Sequence, residues 1–340
     1  MKRRALILIL TLVAAAFAGG SIEQVGRATP RAAAPAQAPP PVRFVALGDA
    51  GDPVPGQADV ARTIKEVCAQ RGCDFAIYLG DNFYPAGIRS SHDAGLETKF
   101  ENPFRDVKLP VYASLGNHDN SASPVPGGDG HDNRGGDFQV EYHYRRDRVS
   151  NKFKMPARYY TARHGDVQVF AADTNAVLEE GLGTNDPRSV KQLAWLKGAL
   201  DASTAAWKIV FGHHTYVSNG AHGNAGSYRG LVEPQGDGAN LKTFIEQAVC
   251  GRADFYFCGH DHHLEWLKPV AACGRTEFII SGAASQPRPL GTKINEFYFQ
   301  RGSVFGFWWV EVVGNTLRAV AYDSQGNVLF ERATTKVAAP

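Results

Sequence analysis

The sequence has 340 residues, of which 44% are hydrophobic and 21% are charged, and its formal net charge is +2. A chain of this composition can bury a large apolar core, which excludes a disordered protein. The near-neutral charge gives no electrostatic reason to expect a nucleic-acid partner.

The N-terminus is typical of an exported protein. Residues 1–18 contain three basic residues, an apolar run and a final small-residue pattern, which together predict a signal peptide. The apolar run is shorter than the roughly twenty residues that a membrane-spanning helix needs, so an uncleaved anchor is the less favoured alternative. Cleavage would leave 33 basic and 34 acidic residues, a net charge of −1. We therefore expect a secreted or periplasmic protein with no stable membrane span after signal cleavage.

The composition beyond this segment predicts the domain organisation. Residues 19–41 are mainly Ala, Pro and small polar residues, which cannot bury enough apolar surface to offset their ordering entropy. We interpret them as a flexible tether. Residues 42–334 are then expected to form one folded domain.

Regular strand and helix patterns recur along this domain. Apolar runs predict strands over residues 42–47, 74–79, 109–115, 166–172, 207–211 and 254–258. Helical spacing of apolar residues predicts helices through Val60, Ile64 and Val67, through residues 190–200, and up to Cys250. Further strands are predicted over 264–270, 277–280, 304–313, 317–322 and 328–331, and the Gly- and Asp-rich residues 127–137 predict a surface loop. This order predicts a layered α/β fold with mixed sheets.

Five cysteines are an odd number for an exported chain. At most two intramolecular disulfides can form, and one thiol is left over. The pairs that we consider are Cys68 with Cys73 and Cys250 with Cys273, although connectivity cannot be read from a sequence alone.

Polar motifs follow the predicted strands, where a metal centre can assemble. Seven of the eleven histidines lie in four short motifs. The carboxyl ends of strands in α/β sheets converge on one site, and carboxylate and imidazole are ligands for iron, zinc and manganese. Two cations roughly 3.5 to 4 Å apart, bridged by a carboxylate, can clamp a phosphate.

Some of these motifs are weak evidence when each is considered alone. Gly48-Asp49 and Gly80-Asp81-Asn82 could each be a simple turn. The other motifs are Gly116-Asn117-His118-Asp119, Gly212-His213-His214, His222 and Gly259-His260-Asp261-His262-His263.

This series of motifs resembles the calcineurin-like metallophosphoesterases. Tyr84, three residues after Asp81, is similar to the tyrosine of purple acid phosphatases, whose phenolate binds ferric iron. The resemblance to the small, tartrate-resistant type runs from about Arg43 to Glu331. It implies a sandwich of two mixed β-sheets flanked by helices.

The resemblance also implies a role for each site residue. A ferric ion would be held by Asp49, Tyr84 and His262, and a divalent ion (Fe, Zn or Mn) by Asn117, His213 and His260. Asp81 would bridge the two ions. His118 and His222 would be the catalytic residues that face the substrate. Asp119 would either orient His118 or cap its loop, and His214 and His263 would lie behind the ligands or face solvent.

The implied function is that of a secreted acid phosphatase. Residues 42–334 would be the catalytic domain, and a metal-bound hydroxide would attack a phosphomonoester. The expected substrate is a small phosphoester or a phosphoprotein, with no nucleic-acid partner, and the expected state is a monomer. One alternative is a nucleotide or cyclic-nucleotide phosphodiesterase of the same fold. The other is a binding protein that has lost turnover, against which the complete ligand set argues.

Overall fold

The computed structural model describes residues 40–120, 134–180, 187–228, 236–292 and 294–336. The predicted signal peptide and residues 19–39 of the predicted tether lie outside these ranges. In the described part of the chain, no helix is both long enough and apolar enough to cross a membrane.

The strands form two seven-stranded mixed sheets. The first sheet has the order β14-β13-β12-β1-β2-β3-β4, and the second has the order β11-β9-β10-β8-β7-β6-β5. Their bounds are β1 (Val42–Leu47), β2 (Phe75–Leu79), β3 (Val111–Ser114), β4 (Phe153–Lys154), β5 (Tyr160–His164), β6 (Val167–Ala171), β7 (Trp207–Phe211), β8 (Phe255–Cys258), β9 (Leu264–Leu267), β10 (Glu277–Ser281), β11 (Phe297–Arg301), β12 (Gly306–Val313), β13 (Thr316–Asp323) and β14 (Val328–Thr335).

The helices flank these sheets. Helix α1 (Pro55–Arg71) has Pro at its first position, where a missing N–H costs nothing, and Gly72, with φ of 80°, follows its last residue. Its residues Val60, Ile64 and Val67 are buried in the core, as the helical spacing predicts. The bounds are α1 (Pro55–Arg71), α2 (Asn117–Asn120), α3 (Arg134–Tyr144), α4 (Thr174–Glu180), α5 (Pro187–Ala202) and α6 (Ala239–Ala248), with a π-helix at Leu96–Glu101 and a 3₁₀ helix at Ala271–Cys273.

The core lies between the two sheets, and the carboxyl ends of the parallel strands in both sheets lie close together. Phe44 of β1 contacts Phe257 of β8, with ring centroids 5.9 Å apart. Strands β1, β2 and β3 are parallel neighbours in the first sheet, and β6, β7 and β8 are parallel neighbours in the second. The Ser281 hydroxyl donates to the Ala46 carbonyl at 2.8 Å and joins the sheets near their carboxyl ends. The loops after these strands therefore meet along one edge of the sandwich.

The structure confirms the predicted fold class and both cysteine pairs. Disulfides join Cys68 to Cys73 and Cys250 to Cys273, and the remaining Cys258 is buried. The predicted loop over 127–137 is wrong at its end, because residues 134–137 form the first turn of α3 and residues 127–133 lie outside the described ranges. Three short strands, β4, β5 and β11, were not predicted, and the predicted strand over 264–270 ends at Leu267, two residues before Pro269.

Candidate metal centre

Three of the predicted ligands have an unusual backbone conformation. The φ angles of Asp49, Asp81 and His260 are 54°, 53° and 67°, in the left-handed region that residues other than glycine rarely adopt. Each of them directly follows the glycine that ends a buried strand. Such strain persists where the surrounding structure enforces it, and it is concentrated at functional sites.

Two glycines allow the polar loops to approach each other. A Cβ atom on Gly116 would overlap the Asp81 carboxylate, and a Cβ atom on Gly259 would overlap the Asp49 carboxylate. Glycine at these positions lets backbone and carboxylate lie in direct contact. The motif loops of both sheets therefore close on a common centre.

Oxygen and nitrogen donors converge on one side of this centre. Asp49, Asp81 and His262 are buried, and each offers a ligand atom within 4.8 Å of the other two. The Tyr84 hydroxyl lies 3.2 Å from Asp49 Oδ1 and 3.3 Å from His262 Nε2. His262 Nδ1 donates to the Gln286 carbonyl at 2.6 Å, so Nε2 is the nitrogen that faces the Tyr84 hydroxyl and Asp49 Oδ1.

The second group of donors lies on the other side of Asp81. His213 Nε2 is 3.0 Å from Asn117 Oδ1, 3.2 Å from His260 Nδ1 and 3.5 Å from Asp81 Oδ1. His213 Nδ1 donates to the Leu79 carbonyl at 2.9 Å, so Nε2 is the nitrogen that faces Asn117, His260 and Asp81. Asp81 thus lies between the two groups, because it offers a carboxylate oxygen within 4.8 Å of ligand atoms of Asp49 and His262, and its Oδ1 lies 3.5 Å from His213 Nε2.

The two groups of oxygen and nitrogen donors together fit a pair of bound cations, although no single contact among them requires a metal. Burial and the carboxylates of Asp81 and Asp49 raise the pKa of Tyr84 well above its usual value, so a phenolate at this position needs a cation beside it. Burial alone would raise the pKa of Asp81, but His213 and His118 lower it below its usual value. Burial likewise opposes a charge on His213, yet Asp81 and Asp49 raise its pKa. Two buried carboxylates and a phenol thus lie at one centre, where bound cations would neutralise their negative charge.

The two predicted substrate-facing histidines border the centre. His118 Nδ1 donates to the Pro85 carbonyl at 2.6 Å, and its Nε2 lies 3.9 Å from Asp81 Oδ2. The His118 side chain is 20% exposed, whereas that of Asp81 is only 2% exposed. The His222 ring lies beside the His260 ring, with centroids 4.0 Å apart. Both histidines are partly exposed, so an incoming molecule can reach them.

Other residues of the motifs support the loops. Asp119 accepts the N–H groups of Gly116 and Asn82 and does not contact His118 Nδ1, so its role is that of a loop cap. His214 and His263 are both buried, and the solvent-facing alternative is wrong for each. His214 Nδ1 lies 2.7 Å from the Thr174 hydroxyl, and His263 Nε2 lies 3.0 Å from Glu265 Oε2.

One contact of His214 could not be expected from the motifs. A nitrogen of His214 lies within 4.8 Å of ligand atoms of both His213 and His260. The repeated histidine in Gly212-His213-His214 was the available signal, but side-chain direction on that loop cannot be read from sequence.

Sequence and structure comparisons agree with this geometry. The sequence pattern described as "Calcineurin-like phosphoesterase" matches residues 42–264. The chain belongs to the calcineurin-like phosphoesterase family. It is thus a phosphoesterase. The resemblance to purple acid phosphatases is confirmed by relatives that carry this name or that of tartrate-resistant acid phosphatase.

Individual relatives lie in the same group. The human "Tartrate-resistant acid phosphatase type 5" is 27% identical to this chain, over 89% of the chain and 94% of the relative. "Purple acid phosphatase 3" of Arabidopsis thaliana is 29% identical, over 85% of the chain and 76% of the relative. Among solved structures, "GAP50 the anchor in the inner membrane complex of Plasmodium" has a TM-score of 0.68 at 20% identity, over 87% of this chain and 89% of that one. This last similarity shows the fold alone.

Proposed function

We propose that this phosphoesterase is an acid phosphatase that hydrolyses phosphomonoesters at a centre of one ferric and one divalent ion. The observation that carries the proposal is the position of Tyr84, whose hydroxyl lies 3.2 Å from Asp49 Oδ1 and 3.3 Å from His262 Nε2. A phenolate is a ligand suited to a strongly Lewis-acidic cation. Support also comes from the acid phosphatase names of the relatives.

The ligand assignment follows the two groups of donors. Asp49, Tyr84 and His262 would hold the ferric ion, and Asn117, His213 and His260 the divalent ion (Fe, Zn or Mn), with Asp81 shared between them. When bound, the two ions supply Lewis acidity and lower the pKa of a coordinated water. The backbone carbonyls of Gln286 and Leu79 orient His262 and His213 for this purpose.

His118 and His222 would act on the substrate. The Pro85 carbonyl holds His118 Nδ1–H at 2.6 Å, so Nε2 is the atom free to carry a proton towards a leaving group. His222 lies on the opposite loop, beside His260, where its imidazole can stabilise charge on the phosphoryl oxygens.

The protein is proposed to be exported and to act as a monomer. The pattern of residues 1–18 and the two disulfides favour a protein exported to a periplasm or to the extracellular space, because disulfides persist in oxidising compartments. We further propose that the catalytic domain covers residues 42–334 and acts as a monomer on a small phosphoester or a phosphoprotein.

A comparison of monoester and diester substrates tests the proposed function. The purified, metal-loaded protein is assayed at acidic pH with p-nitrophenyl phosphate, bis-p-nitrophenyl phosphate and a cyclic nucleotide. Asp81→Ala serves as the inactive variant, and Asp254→Ala as the matched control. Asp254 is also buried and accepts the Lys208 N–H at 2.7 Å, but it lies at the opposite end of strand β8 from the centre.

The expected result is a kcat/KM for the monoester far above those for the two diesters, abolished in Asp81→Ala and retained in Asp254→Ala. Preference for a diester would instead identify a phosphodiesterase of the same fold. Absence of turnover on every substrate, in a protein with both metals bound, would favour a binding protein.

A further inference from the structure

The loop that carries His222 is tied to a buried carboxylate. We call residues 218–223 the His222 loop. Asp261 is 1% exposed and lies in the sequence between His260 and His262. Its Oδ1 accepts the backbone N–H of His222 at 2.9 Å. Its Oδ2 accepts the N–H of Gly223 at 3.3 Å and the hydroxyl of Ser218. One side chain therefore holds both ends of the His222 loop.

The loop is shaped around this carboxylate. The Gly220 N–H donates to the Ser218 hydroxyl at 2.8 Å, which turns that hydroxyl towards Asp261. A Cβ atom on Gly220 would overlap the Asp261 carboxylate. An ionised carboxylate accepts hydrogen bonds and donates none, so it matches the three donors that the His222 loop presents. Neither Asn nor Ala at position 261 can satisfy all of them.

A second buried carboxylate fixes the other face of the loop. Glu265 Oε2 accepts the backbone N–H of Asn219 at 3.0 Å, and the same oxygen lies 3.0 Å from His263 Nε2. Glu265 is fully buried. The His222 loop is thus anchored to two acidic residues that follow strand β8, the strand that also leads into His260 and His262.

These contacts link the position of His222 to that of the proposed metal ligands. The rings of His222 and His260 lie 4.0 Å apart with an interplanar angle of 31°. Because Asp261 is adjacent to His260, its hydrogen bond to the His222 N–H ties the backbone of His222 to the loop that carries His260.

We propose that Asp261 is a positioning residue that holds His222 in its substrate-facing place. Asp261 acts through the loop backbone and does not itself contact the substrate. This inference rests on the proposed function, since it specifies what keeps one of the two catalytic histidines in register with the metal centre.

A double-mutant cycle tests the inference. The kcat/KM for an alkyl phosphate is measured for the metal-loaded wild type, Asp261→Ala, His222→Ala and the double variant. We expect Asp261→Ala, made in the otherwise unchanged protein, to lower kcat/KM by about tenfold or more, which is less than the roughly 10² to 10⁴ expected for complete loss of an acid–base group because the imidazole is displaced and not removed. In the His222→Ala background the same change should cost less than about twofold, because nothing is left to position. Equal factors in the two backgrounds would overturn the role of Asp261.

A second variant keeps the test decisive if Asp261→Ala loses metal. Ser218→Ala removes one donor to Asp261 and leaves residues 260–262 unchanged. It should lower kcat/KM by a smaller factor, again only when His222 is present, while metal content stays at the wild-type value. Asp254→Ala is the control for loss of a buried carboxylate, and its effect should be the same in both backgrounds.

The failures of the two proposals are distinguishable. A wild type that does not hydrolyse phosphomonoesters removes the proposed function and the inference together. A wild type that is active and a His222→Ala variant that is equally active would leave the phosphatase intact and overturn only the inference.

Discussion

The carboxylate of Asp119 accepts the backbone N–H of Asn82 at 2.9 Å, so the loop after strand β3 fastens the loop after strand β2. The same carboxylate accepts the N–H groups of Phe83 at 3.0 Å and Gly116 at 2.8 Å. These bonds hold Asp81 and Tyr84, which lie on either side of Asn82 and Phe83, against the loop of Asn117.

Loss of Asp119 should therefore destabilise the site. Asp119→Ala leaves three N–H groups without their acceptor, and an unsatisfied buried donor costs about 1–3 kcal/mol. The matched control is Asp323→Ala, which loses the N–H groups of Gln325 and Asn327 at an exposed turn, where water replaces them. Urea unfolding should give a clearly larger loss of stability for Asp119→Ala. Equal losses would mean that Asp119 is not an anchor.

Asp81 should matter more for metal retention than Asn117. Asp81 contributes to both donor groups, with a carboxylate oxygen within 4.8 Å of ligand atoms of Asp49 and His262 and Oδ1 3.5 Å from His213 Nε2, whereas Asn117 Oδ1 contacts His213 Nε2. After dialysis, Asp81→Ala should retain less metal than Asn117→Ala, measured by elemental analysis. If Asp81→Ala kept as much metal as the wild type, the bridging role would be wrong.

His118 should affect the chemistry and leave the metals in place. Replacing it by Ala removes no proposed ligand, so metal content should persist, as should the violet or pink colour expected of a Tyr84 phenolate on ferric iron. The rate should fall by about 10² to 10⁴, as expected for loss of a proton donor. An aryl phosphate, whose phenolate departs easily, should lose less rate than an alkyl phosphate. The measurement is kcat for the aryl and the alkyl phosphate in the wild type and in His118→Ala.

The same comparison can reject the general-acid role. If His118→Ala slows both substrates by the same factor, His118 binds the phosphate and another group protonates the leaving oxygen. If it loses a metal, His118 is a ligand.

The two disulfides should contribute unequally to stability. Cys68 and Cys73 are separated by 5 residues and Cys250 and Cys273 by 23, and a disulfide that closes a longer loop restricts the unfolded chain more. On the chain-entropy account the losses are about 2 and about 3 kcal/mol, respectively. Replacing Cys250 and Cys273 together by Ala should lower Tm more than the same change at Cys68 and Cys73. The reverse order would show that native packing outweighs loop entropy here.

Much of the fold could be predicted because the strands are short apolar runs that end at glycine. Strands β1 and β7 have the predicted bounds. Helix α3 was predicted as a loop at its start, since Gly135, Gly136 and Asp137 favour turns. Tertiary contacts overrode that preference: Tyr142 of α3 donates to buried Glu101 at 2.8 Å.

The residues that form the site could be predicted better than the groups that orient them. The rule that strand ends converge brings Asp49, Asp81, Asn117, His213 and His260 together without any distance being known. Backbone carbonyls, such as those of Pro85 and Gln286, carry no sequence signal, yet they determine which nitrogen of His118 and His262 is exposed to the centre. The contacts of Asp261 carry no sequence signal either, because the motif alone does not distinguish an acid that binds a neighbouring loop from one that only separates two histidine ligands.

The visible spectrum of the purified protein, recorded with its metal content, tests the central claim most directly. A Tyr84 phenolate on ferric iron should give a violet or pink protein, and Tyr84→Phe should lose that colour while keeping its fold. Tyr142→Phe, which removes a different buried tyrosine hydroxyl, should keep the colour. A wild type that contains iron but is colourless, or a Tyr84→Phe variant that retains the absorption band, would contradict the assignment.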